Sequence, residues 1–217
     1  MTSGPTRVAT ILDLTRRVID AGASEHERTI PEIAELACQA GSVMPQQAPR
    51  AQTSASSLAW LEAAIRTATT PADRALASAL LAADDLIWIA TYADYDGGEL
   101  MAPLKTGYLV TLLAGPAEFR NYHVPYVADD YLIGFTLQAP GTYYPPHAHV
   151  ARELYHVIGG RGEWQLHDGA WNEQRSGGWI FHPSNALHAM RTEDEPMLTL
   201  VAWIDGLDQP GVRIEER

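Results

Sequence analysis

The sequence predicts a mainly β protein: a double-stranded β-helix, or jelly-roll barrel, with an N-terminal α-helical extension. Three observations carry this expectation. Apolar residues recur at helical spacing up to about residue 95, and short β-type runs separated by Gly, Pro and Asp turns dominate from Tyr92 onward. His147, His149, Glu153 and Tyr155 share odd parity, which on a strand turns all four side chains to one face; a helix would scatter His147 and His149. The chain has 217 residues, 46% of them hydrophobic, enough for one large domain with an appendage and a substantial core. We place the helical region at residues 1–95 and the barrel at residues 96–217.

The helical elements follow in order. Val8, Ile11, Leu12, Thr15, Val18 and Ile19 mark the first helix. Ser24 and Glu27 have the spacing of a capping box before a second helix, with Pro31 near its first turn and Ile33, Leu36 and Ala37 on one side. The stretch from Gly41 to Ser57 is rich in Pro, Gln, Ser and Ala and reads as a loop. A third helix starts near Ser57 and carries Leu58, Leu61, Ala64, Ile65 and Ala68. Thr70-Pro71, a hydroxyl cap followed by proline, starts a fourth through Leu76, Leu80, Ala83 and Ile87. These helices carry no recognisable chemistry. They are expected to pack on the barrel or on a second subunit, the latter giving a homodimer.

Strands are expected at Tyr108–Leu113, ended by Gly115-Pro116, and at Leu132–Leu137, ended by Pro140-Gly141. Leu154–Ile158 continues the histidine-bearing strand. Glu163–Leu166 leads into Asp168-Gly169, a tight-turn dipeptide, and then Trp171. Trp179–Phe181 and Met197–Ile204 supply further strands.

Composition excludes several functions. A formal charge of −12 argues against nucleic acid, which is held by Lys and Arg on phosphates, and against an anionic membrane surface. Cys38 is the one cysteine, so no intrachain disulfide is expected, and its apolar helical setting favours packing. No basic cluster with an apolar run marks Met1 to Thr10 as a secretory leader, and no segment has the length of a membrane span. The expected setting is cytoplasmic.

The chemistry concentrates in His147, His149, Glu153 and His188. Three imidazoles and a carboxylate suit one divalent transition ion per chain: Fe, Zn, Mn, Ni or Co. Gly141 stands six residues before His147 and Gly160 seven after Glu153; Gly177 precedes Pro183 by six, and His188 follows Pro183 by five. This resembles the two-part motif of the cupin superfamily. The first part matches throughout. The second departs once, with Asn185 where glycine is usual, and asparagine tolerates a left-handed backbone better than most residues.

Tyr144-Pro145-Pro146-His147-x-His149-x3-Glu153-x-Tyr155, with Trp179 to Ser184 and His188 to Thr192, resembles the bacterial cupin-type dimethylsulfoniopropionate (DMSP) lyases. The resemblance implies metal ligands at His147, His149, Glu153 and His188, a base at Tyr155, and substrate-contacting aromatics at Tyr144 and Trp203. The substrate is a zwitterionic sulfonium, whose cation an aromatic face attracts; Trp179 is a third candidate for that contact. Tyr144 is the alternative base. Two other readings of the same ligands stand beside the lyase: a metal-dependent dioxygenase and a non-catalytic cupin that binds a small ligand. Of the other histidines, His156 has even parity and is expected to face away from the metal. His167 is placed at a turn, His182 behind the ligands, and His123 on a loop over the mouth.

Overall fold

The computed structural model describes residues 7–41, 43–45, 58–84, 86–94, 99–117, 119, 122–208 and 212–214. Most of the expected Gly41–Ser57 loop, the first residues of the leader reading, and the start of the third helix lie outside them. The helical half comprises α1 (Arg7–Glu25), α2 (Glu32–Gln39), α3 (Leu58–Ile65) and α4 (Pro71–Ala82). Two short strands interrupt this region: β1 (Met44–Pro45) and β2 (Ile89–Ala90). A 3-10 turn (Glu99–Met101) and α5 (Ala102–Gly107) then lead into the strands β3 (Tyr108–Gly115), β4 (Tyr126–Val127), β5 (Leu132–Gln138) and β6 (Tyr143–Ala148). The remaining strands are β7 (Glu153–Leu166), β8 (Asn172–Arg175), β9 (Trp179–His182), β10 (His188–Arg191), β11 (Met197–Trp203) and β12 (Arg213–Ile214).

The protein is mainly β, with helices at its N-terminal end. The hydrogen-bonded path runs β1-β4-β3-β5-β11-β7-β10-β6-β12 and does not close on itself; β2 joins β3, and β8 and β9 join β7. β7 spans two sheets. Its first half, from Glu153, pairs with β11 and β9, and its second half, from Arg161, pairs with β10 and β8. The two separate runs read from the sequence, 154–158 and 163–166, are therefore one strand bent at its glycines. Gly160 has a left-handed φ of 82°, and a Cβ there would lie 1.9 Å from the Pro196 carbonyl oxygen. Only glycine fits the bend.

The two faces of the main sheet bury different material. On β3, β5, β7 and β11, the residues Leu109, Phe135, Leu154, Ile158 and Leu200 pack against Ile11, Ile19, Leu36, Leu76 and Leu80 of the helices. The alternate residues Tyr108, Val110, Tyr155, Val157 and Val201 fill the barrel interior. Strands buried on both faces read as continuous apolar runs. Phe135 is fully buried between the layers, and truncating it to alanine removes about 3–5 kcal/mol.

Local signals were met unevenly. Thr70 caps α4 as expected, its hydroxyl accepting from the Asp73 N–H at 3.0 Å with Pro71 behind it. The Ser24–Glu27 capping box does not form: α1 runs on through Ser24, and α2 starts at Glu32 with Pro31 at its N-cap and no side-chain cap. α4 ends at Ala82 rather than reaching Ile87. α5, with Pro103 in its first turn, precedes the first expected strand in the region where β signals dominate. In the Asp168-Gly169 turn the left-handed residue is His167, at φ 52°. No helix among the described residues is long and apolar enough to cross a membrane.

Candidate active site

β6 ends by presenting His147, and the turn after it presents His149. His188 on β10 lies directly opposite His147 in the strand register. Glu153 opens β7, where its register partners are His182 on β9 and Trp203 on β11. Residues opposite one another share a face, so these side chains converge inside the barrel. The motif turns hold them there. Gly141 (φ 70°), Gly160 (φ 82°), Gly177 (φ 95°) and Asn185 (φ 58°) all adopt the left-handed conformation, so Asn185 takes the backbone the glycine would have taken.

Each histidine is oriented by its own backbone neighbourhood. His147 Nδ1 lies 2.9 Å from the Pro145 carbonyl oxygen, His149 Nδ1 2.9 Å from that of Ala151, and His188 Nδ1 2.8 Å from that of Ala186. A carbonyl only accepts, so each Nδ1 carries the proton and donates it. The three Nε2 atoms are then lone pairs turned toward one another, with all three ligand atoms within 4.8 Å. Glu153 Oε2 sits among the rings, 3.3 Å from His149 Nε2, 3.2 Å from His188 Nε2 and 3.2 Å from His182 Nδ1. Its other oxygen accepts a 2.8 Å hydrogen bond from Trp203 Nε1.

This cluster fits a metal ion. Three imidazole lone pairs and a carboxylate, all buried, have too few protons among them to neutralise their mutual repulsion. Second nitrogens donating to backbone oxygens are what a ligating histidine needs. Either His147, His149 and His188, or Glu153, His182 and His188, present a three-ligand set. Burial pushes the Glu153 carboxyl up, but the imidazoles of His149, His182 and His188 around it outweigh this and hold it well below its usual range. Burial, then His188, keeps His147 well below the usual imidazole value, and the same two causes bring His182 to about 4. The His147 and His182 rings therefore stay neutral, the form that binds a metal.

Aromatic side chains complete a cleft over the cluster. Tyr144 stacks on His147 at 3.8 Å between ring centres, and its hydroxyl is hydrogen-bonded to that of Tyr92. Trp203 lies 4.6 Å from His149 and meets the edge of Phe119 at 6.0 Å. Tyr155 faces the same cleft and is hydrogen-bonded to Tyr108. Burial first, then Glu153, pushes the Tyr155 phenol well above its ordinary value. Tyr144 is raised by burial and by Tyr92 and Tyr108. No Lys or Arg lines the cleft among the described residues.

The structure thus brings together His147, His149, Glu153, His188, Tyr155, Tyr144 and Trp203. It does not bring Trp179 to them. Trp179 is the register partner of His156 and faces the helices, against the His156 ring at 4.5 Å and the backbone of Gly22. Its expected contact with substrate is corrected on that ground: an outward-facing residue on β7 puts its partner on β9 outward as well. His156 faces away from the cluster as expected. His182 does stand behind Glu153. The sequence reading missed Tyr92, Tyr108, Phe119 and Tyr122, which line the cleft from elements remote in the chain. Position 108, opening a strand of known parity, was the one signal available.

Comparison with known proteins places the chain in a family. The family model for dimethylsulfoniopropionate lyase matches residues 29–199. The DMSP lyase DddQ of Ruegeria pomeroyi is 30% identical over 141 residues, covering 64% of this chain and 66% of the relative, just short of two thirds of its length. The crystal structure of DddQ from the same organism superposes with a TM-score of 0.69 at 25% identity, over 93% of this chain and 96% of that one. A chain from the crystal structures of the DMSP lyases RdDddP and RnDddQII gives a TM-score of 0.75 over 99% of this chain and 100% of that one; at 24% identity it speaks to the fold alone. With the match to its family model spanning most of its length, the chain belongs to the dimethylsulfoniopropionate lyase family.

Proposed function

We propose that the protein cleaves dimethylsulfoniopropionate to dimethyl sulfide and acrylate by a metal-dependent, base-catalysed β-elimination. One observation carries the reading: a buried cluster of three imidazole lone pairs and a carboxylate opens into a cleft walled by aromatic rings and free of Lys and Arg among the described residues. A zwitterion with a carboxylate and a sulfonium needs those two environments side by side. His147, His149, Glu153 and His188 would hold one divalent transition ion, which when bound supplies the Lewis acidity that polarises the substrate carboxylate.

The remaining roles belong to side chains. Tyr155 takes the proton from the carbon next to the carboxylate. The electron pair of that C–H bond forms the double bond of acrylate as the C–S bond breaks, and sulfur leaves with the bonding pair as neutral dimethyl sulfide. The protein alone keeps Tyr155 protonated, because burial and Glu153 both oppose the phenolate. A nearby cation acts in the other direction, so the base is tied to metal occupancy. Tyr144 and Trp203 offer ring faces to the sulfonium, worth about 0.5–2 kcal/mol each. Trp203 has a second duty, since its N–H fixes the outer oxygen of Glu153.

The test is gas chromatography of the headspace over purified protein and DMSP under anaerobic conditions, with acrylate measured in solution. Equimolar dimethyl sulfide and acrylate without oxygen is the expected result. Product formation only with oxygen would point to an oxygenase, and ligand binding without product to a binding cupin.

A further inference from the structure

The outer face of β7, opposite Glu153 and Tyr155, is held by polar residues at every fourth position. Just before the strand, Arg152 forms a bidentate pair with Glu35 of α2 at 2.8 and 3.0 Å and donates from Nε to Asp205 at 2.7 Å. His156 Nε2 meets Asp73 Oδ1 of α4 at 2.7 Å. The Gly160 N–H donates to Thr67 Oγ1, just past α3, at 2.5 Å. Only the middle contact is fully buried, with His156 4% and Asp73 1% exposed.

The groups around that contact leave it little freedom. The other Asp73 oxygen accepts from the Thr70 hydroxyl at 2.7 Å, and the Asp73 N–H donates back to the same hydroxyl. The carboxylate is therefore locked to the first turn of α4. The His156 ring packs at a tilt against Trp179 of β9, and the indole in turn is covered by Gly22 of α1, where a Cβ would lie 2.7 Å away. His156 Nδ1 is buried without a partner among the described residues. The ring proton therefore sits on Nε2, where Asp73 accepts it; on Nδ1 it would be a buried donor with nothing to satisfy. Three elements thus converge on one imidazole whose backbone neighbour is Tyr155.

We propose that His156 and Asp73 are positioning residues for the lyase reaction. They tie the helical extension to β7 so that Tyr155 and Glu153 keep their places on the opposite face. The inference rests on the function proposed above. A buried side chain pulled from behind fixes the strand's height and tilt, and chemistry on the front is sensitive to small displacements: a misplacement of about 1 Å costs roughly 100-fold.

The test uses the full chain in two states. The native metalloprotein is assayed for kcat and KM with DMSP. The protein loaded with cobalt(II) is examined by absorption spectroscopy, because its d–d bands report ligand geometry whether or not the protein turns over. Asp73→Ala and His156→Gln are expected to lower kcat by roughly 10- to 100-fold with little change in KM and full metal content, and to shift the cobalt bands. Asp73→Asn, which keeps an oxygen to accept from Nε2, should restore both toward wild type. Leu80→Ala, a fully buried position on the same helix, should lower thermal stability and move neither kcat nor the bands. Wild-type kcat and bands in Asp73→Ala or His156→Gln overturn the proposal. So does Leu80→Ala reproducing their effects, or a failure of both pair variants to fold while Leu80→Ala folds, since each assigns the pair to stability alone. A wild-type protein that releases no dimethyl sulfide sinks the lyase reading, and the cobalt bands still decide the positioning role.

Discussion

β7 buries histidine and carboxylate on both of its faces, and the two faces use them differently. On the outer face one imidazole meets one carboxylate: His156 donates, Asp73 accepts, and the proton count closes. On the inner face a single carboxylate meets nitrogens from His149, His182 and His188, with His147 stacked close by, and the second nitrogens of His147, His149 and His188 are already spent on backbone carbonyls. There the count does not close. A pair that satisfies itself is structure. A surplus of buried lone pairs calls for a cation. The same two residue types, one position of parity apart, therefore serve to fasten one side of the strand and to bind on the other.

The largest expected effect comes from removing one inner nitrogen. His188→Ala should lose metal and DMSP cleavage together, read by elemental analysis beside the headspace assay. Full metal occupancy in that variant would remove His188 from the ligand set. Next is the base. Tyr155→Phe keeps the ring and all four proposed ligands, so it should retain metal and lose about 10²- to 10⁴-fold in turnover. Near wild-type release of dimethyl sulfide would move the base to Tyr144.

Acid should sharpen the contrast. In metal-stripped protein His182 lies at about 4 and His147 well below its ordinary value, against about 6.5 unfolded. The unfolded chain therefore binds protons that the folded chain refuses. Stability is full above about pH 6.5 and falls as pH drops toward 4. For His182 alone the gap of about 2.5 pH units corresponds to roughly 3 kcal/mol. Glu153, depressed in the fold, adds a loss of the same sign lower in pH. Thermal melts after chelation, from about pH 7 down to about pH 5, should show a steady fall; a flat profile contradicts the neutral inner cluster.

The smallest effects separate two tryptophans. Trp203→Phe removes the hydrogen bond to Glu153 and should weaken metal affinity or activity by roughly 10- to 100-fold. Trp179→Phe, facing the helices, should leave KM for DMSP unchanged. Metal titration and steady-state kinetics on the two variants check this, and a raised KM in Trp179→Phe would return it to the cleft.

Parity made much of this legible. Counting positions puts Glu153 and Tyr155 on one face of β7 and His156 on the other, but the single row read from His147 to Tyr155 is two strands and a turn: His147 is on β6, and His149 lies between β6 and β7. The left-handed turn at Asn185 followed from the chemistry of asparagine at a glycine position. What parity cannot supply is register. Trp179 and Trp203 look alike in sequence; pairing with His156 sends one outward and pairing with Glu153 sends the other inward. Tyr92, Tyr108, Phe119 and Tyr122 were invisible as a group because they meet only when distant elements fold around one cleft. The Ser24–Glu27 box failed because the first helix outlasts it, tertiary packing on Val18, Ile19 and Gly22 overriding a local start signal for the next helix.

DMSP cleavage is proposed to depend on a metal held at the inner face of β7. The direct measurement is the rate of dimethyl sulfide release by the purified protein before chelation, after chelation, and after a divalent transition ion is returned. The expected course is release, loss and recovery, with recovery complete near one ion per chain. Release that survives complete removal of the metal would contradict the claim.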